Sequence, residues 1–69
     1  MLYVVKSSDG QYLGSGESGI SATGKLRGNP VWRSWSGSAF GCSDIGFVLD
    51  VVRHLREDFG IESTVEEYK

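Results

Sequence analysis

Asp44 to Phe59, DIGFVLDVVRHLREDF, decides the fold. Ile45, Val48, Val52, Leu55 and Phe59 recur at alternating intervals of three and four residues, the spacing of one apolar face on an amphipathic helix. Ser43 is placed to cap the helix start, since its hydroxyl can accept from an orphan amide of the first turn. Asp44 follows where the positive end of the helix dipole favours a carboxylate. Gly60 is placed to end the helix in a left-handed conformation. On a wheel at about 100° per residue, the apolar arc from Phe47 through Val51, Leu55, Phe59 and Val52 to Leu49 covers roughly half the circumference. One small sheet does not cover that width. Either the Trp32/Trp35 segment folds over the remainder, or a second copy of the chain does.

Upstream of the helix, Leu2 to Ser7 is rich in β-branched and aromatic residues and reads as a strand. It is apolar on both faces, which places it centrally in a sheet. Asp9-Gly10 signals a tight turn, because glycine takes positive φ without steric cost, and Gln11-Tyr12-Leu13 returns as the second strand. Gly14 to Pro30 loses the pattern. It holds five glycines and three serines, and Ile20, Ala22 and Leu26 are its apolar anchors. It reads as a long loop, of the kind that is functional or disordered, with a short strand as an option at 20–23. Val31 to Trp35 alternates large and polar residues and reads as the third strand. Gly37 to Gly41 is a turn that brings Ala39 and Phe40 under the helix start. After Gly60, Ile61, Ser63 and Val65 alternate with Glu62, Thr64 and Glu66, as in a last strand at a sheet edge, where glutamates discourage open-ended pairing.

The expected fold is therefore a single α+β domain of β-β-β-α-β order. A three- or four-stranded, mainly antiparallel sheet packs on one helix over about 44–59, with the Gly-rich loop at 14–30. A chain of 69 residues buries a modest core and often needs a staple. Cys42 is the only cysteine and His54 the only histidine, so neither an internal disulfide nor a Cys/His zinc site can supply one. No run has membrane-spanning length, and residues 1–6 lack the form of a signal peptide, so the expected compartment is the cytoplasm.

Charge is segregated. Residues 1–17 sum to −1; residues 18–43 contain no acid and carry Lys25, Arg27 and Arg33; residues 44–69 carry seven acids against Arg53, Arg56 and Lys69. A basic face and an acidic face are each open to a partner, or the segregation is an ordinary solvated surface.

The chemical motifs mostly fail. Gly14-x-Gly16-x-x-Gly19 matches a dinucleotide fingerprint, but residues 20–24 do not continue as the helix that would receive a pyrophosphate. Gly19-x-x-x-x-Gly24-Lys25 is followed by Leu26 where a phosphate-binding loop needs a hydroxyl for Mg²⁺. What survives is a cradle of glycine amides with Lys25 and Arg27 that holds an anion without hydrolysing it. Trp32, Trp35 and Phe40 beside Lys25, Arg27 and Arg33 make an aromatic and basic cluster. Such clusters stack on bases or form interface hot spots; core packing is the plainer reading of either tryptophan. The acidic net charge argues against general nucleic-acid binding. His54 is expected on the outer helix face with Asp50 and Glu57, solvated and paired rather than catalytic. Cys42 lacks a base or second thiol and reads as a small packed residue. Glu62, Glu66 and Glu67 form a solvated strand face or an acidic docking surface.

Tyr3-Val4-Val5-Lys6, Asp9-Gly10-Gln11-Tyr12-Leu13, Trp35, Ala39-Phe40 and the helix resemble the pattern of very small phage-encoded proteins. Those proteins open with a YVIK…DGKYL-like hairpin, continue with a Trp strand and enter one helix through an A..F step. The resemblance covers the hairpin and residues 35–59; the glycine-rich stretch departs from it. It carries no catalytic residue. Many small phage accessory proteins, anti-CRISPR proteins among them, act by occupying a host complex stoichiometrically, and the resemblance implies that mode here.

The functional expectation is a non-enzymatic, anti-CRISPR-like inhibitor in the host cytoplasm, needing no cofactor or metal. Its partner is a host protein or ribonucleoprotein complex, met through Trp32, Arg33, Trp35, Lys25 and Arg27, or through the acidic surface of Glu62, Glu66 and Glu67. The alternative is a small-ligand or nucleotide sponge using the Gly-rich loop, with a homodimer as an option. Direct nucleic-acid or membrane binding is not expected.

Overall fold

The computed structural model describes residues 1–68 and builds them in the order β-β-β-α-β. Strands β1 (Leu2–Ser7), β2 (Tyr12–Gly16), β3 (Pro30–Arg33) and β4 (Ser63–Tyr68) form one antiparallel sheet in the order β3-β2-β1-β4, and helix α1 (Ile45–Phe59) lies on one face. A short 3-10 turn, Ser36–Ser38, sits between β3 and α1.

β1 is central, as its two-sided apolar sequence predicts: the adjacent Val4 and Val5 point to opposite faces and are 2% and 0% exposed. The turn after it closes with Gly10 at φ +88° and the Ser7 amide donating to the Gln11 carbonyl. β1 and β2 are paired at Lys6 and Tyr12 and then diverge. Residues 40–42 fill the gap. Tyr3 and Cys42 exchange both main-chain hydrogen bonds, and the Phe40 amide donates to the Leu13 carbonyl over 2.8 Å. This insertion delivers Phe40 to the helix start, with its ring centroid 6.0 Å from that of Phe47.

The helix is capped one residue later than expected, by Asp44 rather than Ser43. Asp44 has an extended backbone, and its Oδ1 accepts from the amides of Gly46 (3.0 Å) and Phe47 (3.3 Å). One carboxylate thus serves two orphan amides and the helix dipole together. Asp44→Ala is expected to lower stability by about 1 kcal/mol, read as a drop of roughly 4–8 °C in a thermal melt. Gly60 ends the helix at φ +68°, and the amides of Gly60 and Ile61 donate to the carbonyls of Arg56 and Leu55.

The core beneath α1 is Val5, Leu13, Leu26, Val48, Val51 and Leu55, with Trp32, Val52, Phe59, Ile61 and Val65 packed around it. Leu26 comes from the stretch expected to be an irregular loop. That stretch is instead a hairpin continuing β2 and β3. Glu17 donates to Asn29, Ser18 to Arg27, Arg27 to Gly19 and Ser21 to Lys25, all main chain, and Ile20 and Leu26 form an isolated bridge in place of a strand at 20–23. The hairpin folds onto the flank of α1. A Cβ added at Gly24 would lie 3.0 Å from the Asp50 Cβ and 3.1 Å from the Val51 nitrogen, and the Lys25 ammonium reaches the Asp58 carboxylate at 3.6 Å. The wide apolar arc is therefore covered partly by this hairpin. Ile45 and Leu49 remain about half exposed, at 47% and 53%.

Gly24 also sits at φ +83°, so alanine there meets both backbone strain and the helix. Gly24→Ala is expected to cost about 2 kcal/mol, read as an earlier midpoint in urea unfolding with the slope unchanged.

Candidate functional site

Strand alternation sorts the expected site residues onto two sides of the sheet. Leu13 and Trp32 are cross-strand partners on the helix side, where Leu13 is buried and Trp32 packs half-buried against the core. Lys25 is on that side too, on the hairpin that clasps α1. Arg27 is exposed beside it, its main chain holding the hairpin closed. Arg33 pairs with Tyr12 on the opposite side, which no helix covers. The five residues do not converge: Arg33 and Trp35 belong to the open face, while Trp32 and Lys25 belong to the packed one.

The open face is built from Leu2, Val4 and Lys6 of β1, Tyr12 of β2, Arg33 of β3, and Thr64, Glu66 and Tyr68 of β4. Lys6 stands over the Tyr12 ring, its Nζ 5.7 Å from the centroid, and pairs with Glu66 at 3.6 Å. Arg33 lies over Gly14, where an added Cβ would come within 3.0 Å of its Nε. Both cations therefore rest across the sheet, their apolar stems covering it and their heads at its surface. The segment after β3 crosses the edge of this face. Ser36, Gly37, Ala39 and Gly41 border a small cleft of about 200 Å³ with Leu2, Val4 and Tyr68. Next to it, Val4, Ser36, Glu66, Glu67 and Tyr68 line an open groove of about 570 Å³.

Trp35 stands at this rim and is 68% exposed. It was expected to belong to β3, but the strand ends at Arg33 and the chain turns. The turn fixes the tryptophan. The Ser38 amide and hydroxyl both donate to the Trp35 carbonyl, over 3.2 and 3.0 Å, and the indole lies flat on Gly37, where a Cβ would sit 2.4 Å from the ring. Glycine is thus required there for close approach. An exposed indole held in one place loses little further entropy when a partner covers it.

The acidic residues lie on and beside the edge strand β4, with Glu66 and Glu67 lining the groove at Ser36. Glu62 and Glu67 are exposed, and Glu66 is shared with Lys6.

The glycine-rich stretch uses its amides internally. Ser18, Gly19, Ser21, Gly24 and Arg27 all donate to main-chain carbonyls within the hairpin, and the Lys25 amide donates to the Ser21 hydroxyl. His54 is not on the solvated face. It is half-buried, and its Nδ1 is enclosed without a hydrogen-bond partner among the described residues, while Arg53 takes the two carboxylates, Asp50 and Glu57, at 3.5 Å each. Cys42 is half-buried against the core, and its sulfur accepts from the Asp44 amide at 3.4 Å. Among the described residues no helix is long and apolar enough to cross a membrane.

Tyr12, Leu2, Lys6 and Tyr68 complete the open face and were not among the expected site residues. The period-two alternation of Leu2, Val4 and Lys6 was the available signal. Comparison with family models, with curated proteins and with solved structures finds no match to this chain.

Proposed function

We propose that this chain is a non-enzymatic binding protein that docks a protein partner on the open face of its sheet, with Trp35 and Arg33 at the centre of the contact. The observation that carries the reading is Trp35, an indole two-thirds exposed yet laid on Gly37, two residues beyond Arg33. Tryptophan and arginine are among the residues most enriched in interface hot spots, and an exposed indole offers a large apolar area for a partner to cover. Leu2, Tyr12 and Tyr68 extend the apolar surface of this face, and Lys6 and Glu66 provide a polar rim.

The resemblance to small phage accessory proteins favours a host protein or ribonucleoprotein complex as the partner, occupied stoichiometrically and so inhibited, as anti-CRISPR proteins act, within the host cytoplasm. No observation favours the nucleotide sponge to the same degree, because the hairpin donates the amides that would cradle a phosphate to its own carbonyls. The test is partner retention by the chain and by Trp35→Ala and Arg33→Glu at matched thermal stability. Retention by the parent and loss in both variants is expected; equal retention by all three overturns the reading.

A further inference from the structure

β4 is an open sheet edge, and its register states which main-chain groups it offers. Residues of β1 and β4 face each other as Tyr3 with Glu67, Val5 with Val65 and Ser7 with Ser63. The amide and carbonyl of Tyr3 are both engaged by Cys42 on the far side of β1, and the Ser7 amide by Gln11. In an antiparallel ladder hydrogen-bonded and non-hydrogen-bonded pairs alternate. The pairs at Tyr3, Val5 and Ser7 are therefore non-hydrogen-bonded, and the amides and carbonyls of Ser63, Val65 and Glu67 point outward, with no main-chain partner among the described residues.

Charge selects the occupant of this edge. Glu62 and Glu67 are exposed without an ion pair among the described residues, and Glu66 is answered by Lys6 alone. Pairing β4 with β4 of a second copy would bring three glutamates from each chain onto one joint, where like charges across strands are destabilising. A strand bearing lysine or arginine meets the opposite condition. The open groove between Ser36 and Tyr68, lined also by Glu66 and Glu67, lies beside the C-terminal half of β4 and has room for the side chains of such a strand.

We propose that β4 binds an extended basic segment of a partner protein as a fifth strand, held by the outward main-chain groups of Ser63, Val65 and Glu67 and selected by Glu62 and Glu67. This is β-augmentation, in which the backbone ladder supplies affinity and the side chains supply selectivity. The edge lies across the sheet from Arg33 and meets the rim where Trp35 stands only through the groove at Ser36.

The test uses the full chain and a short end-blocked peptide of alternating lysine and valine, with a glutamate–valine peptide as its control. Amide hydrogen exchange is followed by NMR. The lysine peptide is expected to slow exchange at Ser63, Val65 and Glu67 by about tenfold or more, and the glutamate peptide to leave it unchanged. Glu67→Pro removes an outward donor that β1 does not use, so the fold is kept while peptide protection is lost; Glu67→Gln keeps the donor and weakens binding less. Arg33→Ala, on the opposite edge strand β3, leaves the peptide response intact, so failure here and failure of the open-face reading are distinguishable. Absence of protection with the lysine peptide overturns the proposal. So does equal protection by the glutamate peptide, or protection that grows with protein concentration in the absence of peptide, which would mean that a second copy occupies the edge.

Discussion

Leu55→Ala is expected to lower the unfolding free energy by about 3 kcal/mol, within the range of roughly 2–5 kcal/mol for truncating a buried leucine. Leu55 is fully buried, and it sits where the sheet, α1 and the 17–29 hairpin meet, so it contacts a core assembled from Val5, Leu13, Leu26, Val48 and Val51. A domain of this length has a total stability of roughly 3–10 kcal/mol. The loss therefore takes a third or more of it. The melting temperature falls by roughly 12–24 °C, taking about 4–8 °C per kcal/mol for so small a domain. Part of the loss is the burial free energy of the removed carbons and part is the cavity left behind, because Val48 and Val51 are fixed on the same helix and cannot collapse onto the gap. Chemical denaturation with an unchanged slope and a much lower midpoint is the measurement. A shift under 1 °C would mean that the helix does not pack as described.

Trp35→Ala is expected to do the reverse: nearly abolish partner binding and leave stability almost unchanged. The indole is mostly in water, so truncation removes little buried area, and an exposed substitution away from special backbone geometry stays within about 0.5 kcal/mol. In the bound state the same side chain acts as the anchor, and losing an interface hot spot costs about 2 kcal/mol or more, roughly thirtyfold in Kd. Leu49→Ala is the matched control. Leu49 is also a half-exposed apolar side chain, but it lies on α1 on the other side of the sheet. If binding were unspecific hydrophobic adhesion, both variants would weaken it alike. Calorimetry or surface plasmon resonance against the captured partner, beside a thermal melt of each variant, separates the two outcomes.

The architecture is readable in the residues because each element carries its own local signal. The spacing of Ile45, Val48, Val52, Leu55 and Phe59 and the glycine at 60 define the helix, and Asp9-Gly10 defines the first turn. The order of elements and the central place of β1 follow from them. What local signals do not convey is long-range pairing. The hairpin at 17–29 looks like a loop because its turns are made by glycines at positive φ, Gly19, Gly24 and Gly28, and because its apolar content is Ile20, Ala22 and Leu26. Its structure depends on Leu26 reaching Val48, Val51 and Leu55 of the helix, more than twenty residues further along the chain, and no periodicity encodes that. His54 is misplaced for the same reason: its wheel position is polar in sequence, yet it lies half-buried.

The candidate surface was legible in part. Composition finds the aromatic and basic residues between 25 and 35, but not that the strand alternation sends Trp32 to the core and Arg33 to the open face. Nor does it reveal that β3 ends at Arg33, which frees Trp35 to lie on Gly37. The other side chains of the open face come from three strands, converging through the local pairing of Lys6 with Tyr12 and the long-range pairing of Leu2 with Tyr68.

The most direct measurement is native mass spectrometry of the chain purified gently from host cells, in parallel with Trp35→Ala, Arg33→Glu and Lys25→Ala. The account predicts a complex of fixed stoichiometry with one protein partner, present for the parent and for Lys25→Ala and absent for the two open-face variants. A nucleotide-sized ligand that persists in the open-face variants and disappears in Lys25→Ala would contradict it, and would move the site to the glycine-rich hairpin.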